Sequence, residues 1–179
     1  EFRRVLFRSL HALEGELAVA LTTREEAVLT AEQLRAGLES AEAAIADFLN
    51  EPAAVLTATG YLASLAVAQG LRDQATHVVM DESAHSCVQD GARLSGLPVI
   101  PFASGDARAL RSVLRGLPPS ARPLVATDGV YGIRGGMAPL ADYLQAIPAS
   151  GWLWVDDAHG LGSVGQTGRG SPEVFGLQD

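Results

Sequence analysis

The chain of 179 residues carries a formal net charge of −8, a pI near 4.9 and 47% apolar residues. Its length supports one domain with a sizeable core and its composition argues against disorder, while the acidic balance lacks the basic footprint of a nucleic-acid binder, so no nucleic-acid partner is expected. All 13 basic residues are arginine; lysine is absent. A single cysteine, Cys87, can form neither an internal disulfide nor a Cys-rich zinc pattern, which points to a reducing cytoplasmic location. No apolar run approaches the ~20 residues of a membrane helix, so no membrane partner is expected.

Residues 1–9, EFRRVLFRS, make a poor signal peptide: arginines surround a fragmentary apolar core and no small-residue cleavage site follows. From the abrupt change of composition they are expected to be a non-native leader. Residues 10–50 form an N-terminal helical segment, with apolar residues at helical spacing such as Leu34, Leu38, Ala41, Ile45 and Leu49. Two helices are expected there, the second opened by Thr30 with Gln33 three residues on, as in a capping box.

After Pro52 the texture changes to alternating strands and helices. Strands are predicted at Ala53–Thr57, His77–Met80, Val99–Phe102, Pro123–Thr127 and Trp152–Val155, and helices at Tyr61–Leu71, Ala84–Leu94, Ala107–Leu117 and Leu140–Ile147. Residues 51–179 therefore read as an α/β domain with a largely parallel sheet.

Polar clusters fall where predicted strands end, the place where parallel α/β sheets bind ligands. Thr59-Gly60-Tyr61 joins a strand to a helix; its free amides suit a phosphate, or Thr59 is a plain N-cap. In Asp81-Glu82-Ser83-Ala84-His85-Ser86, His85 could stack on a flat ligand or shuttle a proton, or Ser83 caps the helix and His85 lies in its first turn. Asp128-Gly129-Val130-Tyr131-Gly132, followed by Gly135-Gly136, allows close backbone approach to a ligand, or forms ordinary turns.

The densest chemistry lies in Trp152–Gly170, WLWVDDAHGLGSVGQTGRG. Asp156 emerges at the end of a buried strand, with His159 three residues on. The literal G-x-G-x-x-G at Gly160–Gly165 lacks the strand-turn-helix context of a dinucleotide fold, and an acidic box of a nucleotide-driven motor needs a phosphate-loop lysine that is absent. Taken together, a strand-end aspartate, two histidines and a phosphate cup are what a pyridoxal 5'-phosphate site requires, since a carboxylate opposite the pyridine nitrogen favours its protonated form.

From Glu42 onward the chain resembles the α-oxoamine synthases, fold type I pyridoxal phosphate enzymes related to the class I/II aminotransferases. The resemblance rests on Glu42–Leu49 with Gly60-Tyr61-Leu62-Ala63, Asp81–Gly91, Ala126–Tyr131, and Val155–Gly160 with Gly165 and Gly168-Arg169-Gly170. It implies a parallel sheet with helices on both faces, here incomplete, and a reaction that joins an amino acid to an acyl-CoA with loss of carbon dioxide. By position, Gly60 and Tyr61 would give amides to the cofactor phosphate, His85 would stack on the ring, Asp156 would pair with the ring nitrogen and His159 would bond the phenolic oxygen. His85, Asp156 and His159 would be the catalytic residues of this stretch, and no metal is implied. Asp157 would point to the other side of an extended chain and serve structure.

Two departures stand out: Gly132-Ile133-Arg134-Gly135 occupies the place of the family's Ser-Met-Asp-Gly, and Ser64 that of an asparagine. The family's Schiff-base lysine lies some tens of residues beyond Asp156-x-x-His159, so the chain as given is expected to be catalytically incompetent and the natural protein to continue past Asp179. The resemblance further implies a homodimer. A related aminotransferase-like enzyme, or a non-catalytic binding subunit of the same fold, remains the alternative.

Overall fold

In a computed structural model, the backbone is described for residues 2–177 and the side chains for residues 19–177. Glu1, and the side chains of the rest of the expected leader, lie outside the described residues. The chain divides into two compact units, residues 1–55 and 56–179.

The first unit contains one helix, α1 (Phe2–Leu49), where the spacing predicts two. Thr30 does not open a helix; it sits in the middle of one, its hydroxyl donating to the Glu26 carbonyl at 2.8 Å. A threonine can make that bond without leaving helical geometry, and the surrounding Ala, Leu, Glu and Arg are strong helix formers with no proline among them. The helix ends where the chain can no longer continue it. Asn50 takes a left-handed φ of 59°, the amides of Asn50 and Glu51 reach back to Asp47 and Ala46, and Pro52 follows, the pattern of a Schellman stop.

Ala53–Thr57 is not a strand. Its β-branched and apolar composition suits one, but among the described residues it has no ladder partner, and Val55 is 81% exposed. An isolated extended segment leaves its amides to water, so propensity alone does not make it a strand.

The second unit opens with α2 (Gly60–Leu71) and continues through β1 (His77–Asp81), α3 (Ser86–Leu94), β2 (Val99–Phe102), α4 (Ala107–Gly116), β3 (Pro123–Asp128), α5 (Leu140–Ala146), β4 (Trp152–Asp156) and the short α6 (Ser171–Val174). The four strands form one parallel sheet in the order β2-β1-β3-β4. Each expected strand after residue 76 is present, most of them a residue longer at the carboxyl end than apolar character alone suggests.

Side chains alternate across the sheet, and each face has its own core. Val78, Met80, Leu124, Ala126 and Trp154 pack on one side with Ala68 of α2 and Val88 and Ala92 of α3. Val79 and Val125 pack on the other with Leu110 of α4 and Leu140 and Tyr143 of α5. Helices thus cover both faces, which is why the central strands β1 and β3 are buried nearly throughout and read as continuous apolar runs. Tyr143 and Phe102 meet at near right angles, with ring centroids 5.4 Å apart.

The period-two rule also sorts the polar residues at the strand ends. Asp128 and Asp156, in register on neighbouring strands, share the parity of Ala126 and Trp154. Asp81 and Thr127 share that of Val79 and Val125, and there Asp81 accepts hydrogen bonds from Tyr131 Oη at 2.6 Å and Thr127 Oγ1 at 3.2 Å.

Candidate active site

The sheet order reverses between β1 and β3, one neighbour running to β2 and the other to β4. Parallel sheets open a crevice at such a point, outside the carboxyl ends of the strands. A pocket of about 450 Å³ lies at these strand ends within the second unit, within the range of small-molecule sites. Gly60, Tyr61, His85, Asp156 and His159, the five residues singled out in the sequence, all line it.

The N-terminus of α2 forms one wall. Thr59 is the N-cap, its Oγ1 accepting from Leu62 N at 3.2 Å, which leaves the Gly60 and Tyr61 amides without a partner among the described residues. The cap and the anion cup are therefore compatible: the threonine satisfies the third amide and the first two remain for a ligand. Tyr61 Oη donates to Asp90 at 3.1 Å, and this bond to a carboxylate raises the phenol above its ordinary value.

The loop after β1 supplies His85. Ser83 is not the helix cap; its amide instead donates to Asp81 Oδ1 at 2.8 Å, turning the chain. His85 is itself the N-cap of α3, its Nδ1 accepting from Cys87 N at 3.3 Å. An Nδ1 that accepts carries no proton, which assigns the proton of a neutral ring to Nε2. The His85 amide donates to Asp128 Oδ1 at 2.9 Å, which ties the loop to β3.

Strand β4 supplies the acids. Asp156 accepts from Cys87 Sγ at 3.3 Å through Oδ2 and from Ala158 N at 3.2 Å through Oδ1. The Cys87 sulfur also lies 2.8 Å from His85 Nδ1; one thiol proton can serve only one of these acceptors at a time. Burial raises the Cys87 thiol above its ordinary value, opposed by a bond with Ser64 and reinforced by Asp156. Beside Asp156 stands Asp128, 6% exposed. Burial pushes its carboxyl up to about 6, the Asp156 charge adds to the shift, and the His85 amide opposes it.

His159 follows one turn later, exposed, with no hydrogen bond to its ring among the described residues. It occupies space made by the departure at Gly132: a Cβ built on Gly132 would collide with the His159 ring. A second pocket of about 540 Å³ shares His85, Asp128 and His159 with the first and continues over Gly132 and Arg134. Arg134 stacks over Tyr131 at 4.6 Å and donates to the Ser104 carbonyl at 3.2 Å.

Asp157, adjacent to Asp156, has the opposite environment. Its carboxylate accepts from Ser171 N at 2.7 Å and Ser171 Oγ at 2.6 Å. Gly129, Gly160 and Gly170 crowd so close that a Cβ on any of them would strike it. The glycine-rich loop is thus a backbone wrap around a half-buried acid, pinned by the Leu161–Arg169 bridge, and Gly160–Gly165 opens no helix of a dinucleotide fold.

Asp128 and Cys87 were not singled out as site residues by the sequence. Asp128 carried a signal, an acid at a strand end in front of glycine. Cys87 carried none, because its contact with Asp156 spans 69 positions of chain.

A parallel sheet whose strand ends converge on a pocket beside a helix N-terminus defines a ligand-binding α/β domain. Residues 24–178 match the family described as aminotransferase class I and II, and the chain belongs to that family. The curated 8-amino-7-oxononanoate synthase of Thioalkalivibrio sulfidiphilus (strain HL-EbGR7) is 42% identical over 137 residues, covering 76% of this chain and 35% of the relative. Among solved structures, serine palmitoyltransferase from S. paucimobilis, with bound PLP, superposes with a TM-score of 0.72 at 30% identity, covering 76% of this chain and 35% of that one. The 8-amino-7-oxononanoate synthase of Francisella tularensis gives 0.69 at 26% identity, with 78% and 40% covered. The resemblance to α-oxoamine synthases and the fold type I architecture are borne out by these relatives. The chain spans about a third of the length of the curated relatives it matches.

Proposed function

We propose that this chain is the cofactor-binding part of a pyridoxal phosphate-dependent enzyme that condenses an amino acid with an acyl-CoA. The observation that carries the reading is the pocket in which Asp156, His85, His159 and the two amides of α2 that have no partner among the described residues meet. The donor set suits the group chemically. The amides of Gly60 and Tyr61 would hold the phosphate, and a Cβ built on Gly60 meets nothing within 4 Å, so the approach is open. The Asp156 carboxylate would face the pyridine nitrogen, the flat His85 ring would cover one face of the cofactor, and His159 would bond the phenolic oxygen. Bound there, the cofactor supplies an electron sink for a carbanion at the amino acid's α-carbon.

The chain's own residues set the conditions for that chemistry. Asp156 sits half-buried beside Trp154, where a paired charge is screened less than in water. His85 is oriented by its bonds to Cys87 and Asp128. The adjoining pocket over Gly132 and Arg134 leaves room for substrate beside the cofactor. The whole protein acts as a cytoplasmic homodimer in this reading; no described helix is long and apolar enough to cross a membrane.

Binding of pyridoxal phosphate, followed by quenching of Trp154 fluorescence, tests the reading. Asp156→Asn keeps the shape and removes the charge opposite the ring nitrogen. Loss of a charged hydrogen bond of ~2 kcal/mol should weaken binding about thirty-fold. Equal affinity in both proteins sinks the assignment of Asp156.

A further inference from the structure

Two of the groups given above to the cofactor, with Cys87 between them, also form a cluster of metal-ligand atoms. His85 Nδ1, Cys87 Sγ and an Asp156 carboxylate oxygen all lie within 4.8 Å of one another, with Sγ 2.8 Å from Nδ1 and 3.3 Å from Oδ2. They are one nitrogen, one sulfur and one oxygen donor, held by two different elements, the start of α3 and the end of β4. We propose that these three groups form a binding site for a thiophilic divalent cation of the zinc class, accessible when the cofactor is absent.

The geometry suits a tetrahedral ion. Bonds of about 2.3 Å to sulfur and about 2.0 Å to nitrogen and oxygen place such ligands about 3.3–3.6 Å apart, and small rotations of the His85 and Asp156 side chains convert the present spacings to these. The tautomer is already correct: the one lone pair of His85 Nδ1 now accepts from Cys87 N over a long 3.3 Å, a bond that the metal replaces. Binding breaks the Cys87 S–H bond and releases its proton to solvent as the sulfur–metal bond forms, so no oxidant or reductant is needed. The mixed donor set selects zinc or cobalt over magnesium or calcium, which prefer all-oxygen sites. The fourth position faces the pocket and remains open to water, as in zinc sites with three protein ligands. Because the proposed function gives Asp156 and His85 to the cofactor, metal and cofactor exclude each other; this clause alone rests on that reading.

Cobalt titration of the 179-residue chain tests the site. Its single cysteine means that a thiolate-to-cobalt charge-transfer band in the near ultraviolet arises only at Cys87. A saturable band of one equivalent is expected, displaced by Zn²⁺, abolished in Cys87→Ser, and at least about ten-fold weaker in Kd in both His85→Gln and Asp156→Asn. No band with wild-type protein at millimolar Co²⁺ overturns the site whatever the variants do. A band of unchanged affinity in His85→Gln and Asp156→Asn overturns it too, because the thiol then binds alone. With the free metal held constant, bound pyridoxal phosphate should erase the band. If the band persists beside bound cofactor, the metal site stands and the assignment of Asp156 to the ring nitrogen falls.

Discussion

Two adjacent carboxylates, Asp156 and Asp157, leave the same strand and meet opposite environments. Asp157 makes two short bonds, to the amide and the hydroxyl of Ser171 at 2.7 and 2.6 Å, inside a wrap of glycines. Asp156 meets a weak thiol donor and one backbone amide, and stands next to Asp128, another acid aimed at the pocket. Both acids accept two bonds and both line the pocket. Those of Asp157 are short and come from one buried serine, which ties it to the fold. Those of Asp156 are long and one comes from a weak thiol donor, which leaves it the easier to engage with a ligand. The Asp128 carboxyl near 6 shows what the pocket side costs: a buried group facing a like charge resists ionising.

The contrast breaks most sharply on the Asp157 side. Asp157→Ala leaves two donors of the buried Ser171 unpaired, and at ~2 kcal/mol each the loss is about 4 kcal/mol, read as a fall in the denaturation midpoint. Asp156→Asn should do the reverse, moving stability by less than about 0.5 kcal/mol while weakening cofactor binding as stated above. Equal stability losses in the two variants would erase the distinction.

Asp128 sharpens it through pH. The folded pKa, about 6, lies above the ordinary 3.8, so between these values the folded state binds more protons than the unfolded one. Stability from this group is therefore full below about pH 4 and falls as pH rises through 6, by up to about 3 kcal/mol from the size of the shift. Asp128→Asn keeps an acceptor for the His85 amide and should flatten that part of the pH profile, raising stability at pH 8. An unchanged slope between pH 4 and 6 would show that burial does not hold Asp128 protonated.

The smallest effect is expected at Gly132. Gly132→Ser puts a Cβ into the His159 ring, but the ring is exposed and free to rotate, so stability should change by less than about 1 kcal/mol. The His159 resonances should shift in the NMR spectrum while those of His77 stay in place. An unmoved His159 would mean that the loop, not the ring, gives way.

Much of this was legible without coordinates. Strands β1 to β4 follow from apolar runs bounded by turn residues, since a sheet covered on both faces needs such runs. Parity alone predicts that Asp156 and Asp157 face opposite sides, because successive residues of a strand alternate; which of the two would meet a cofactor came from the resemblance. The misreadings share one cause. A helix start at Thr30 and a strand at Ala53–Thr57 follow from local propensity, yet a threonine can bond within a helix and a strand exists only beside another strand.

Sequence by itself determined the alternation of elements, the acidic character, the absence of lysine and the polar clusters at the strand ends, because these depend on composition and on neighbours close in the chain. Only the tertiary structure brought Cys87 between His85 and Asp156, set Asp128 beside Asp156, and filled the space above Gly132 with His159. Such contacts join residues tens of positions apart, and sheet order and helix packing alone decide which of them meet.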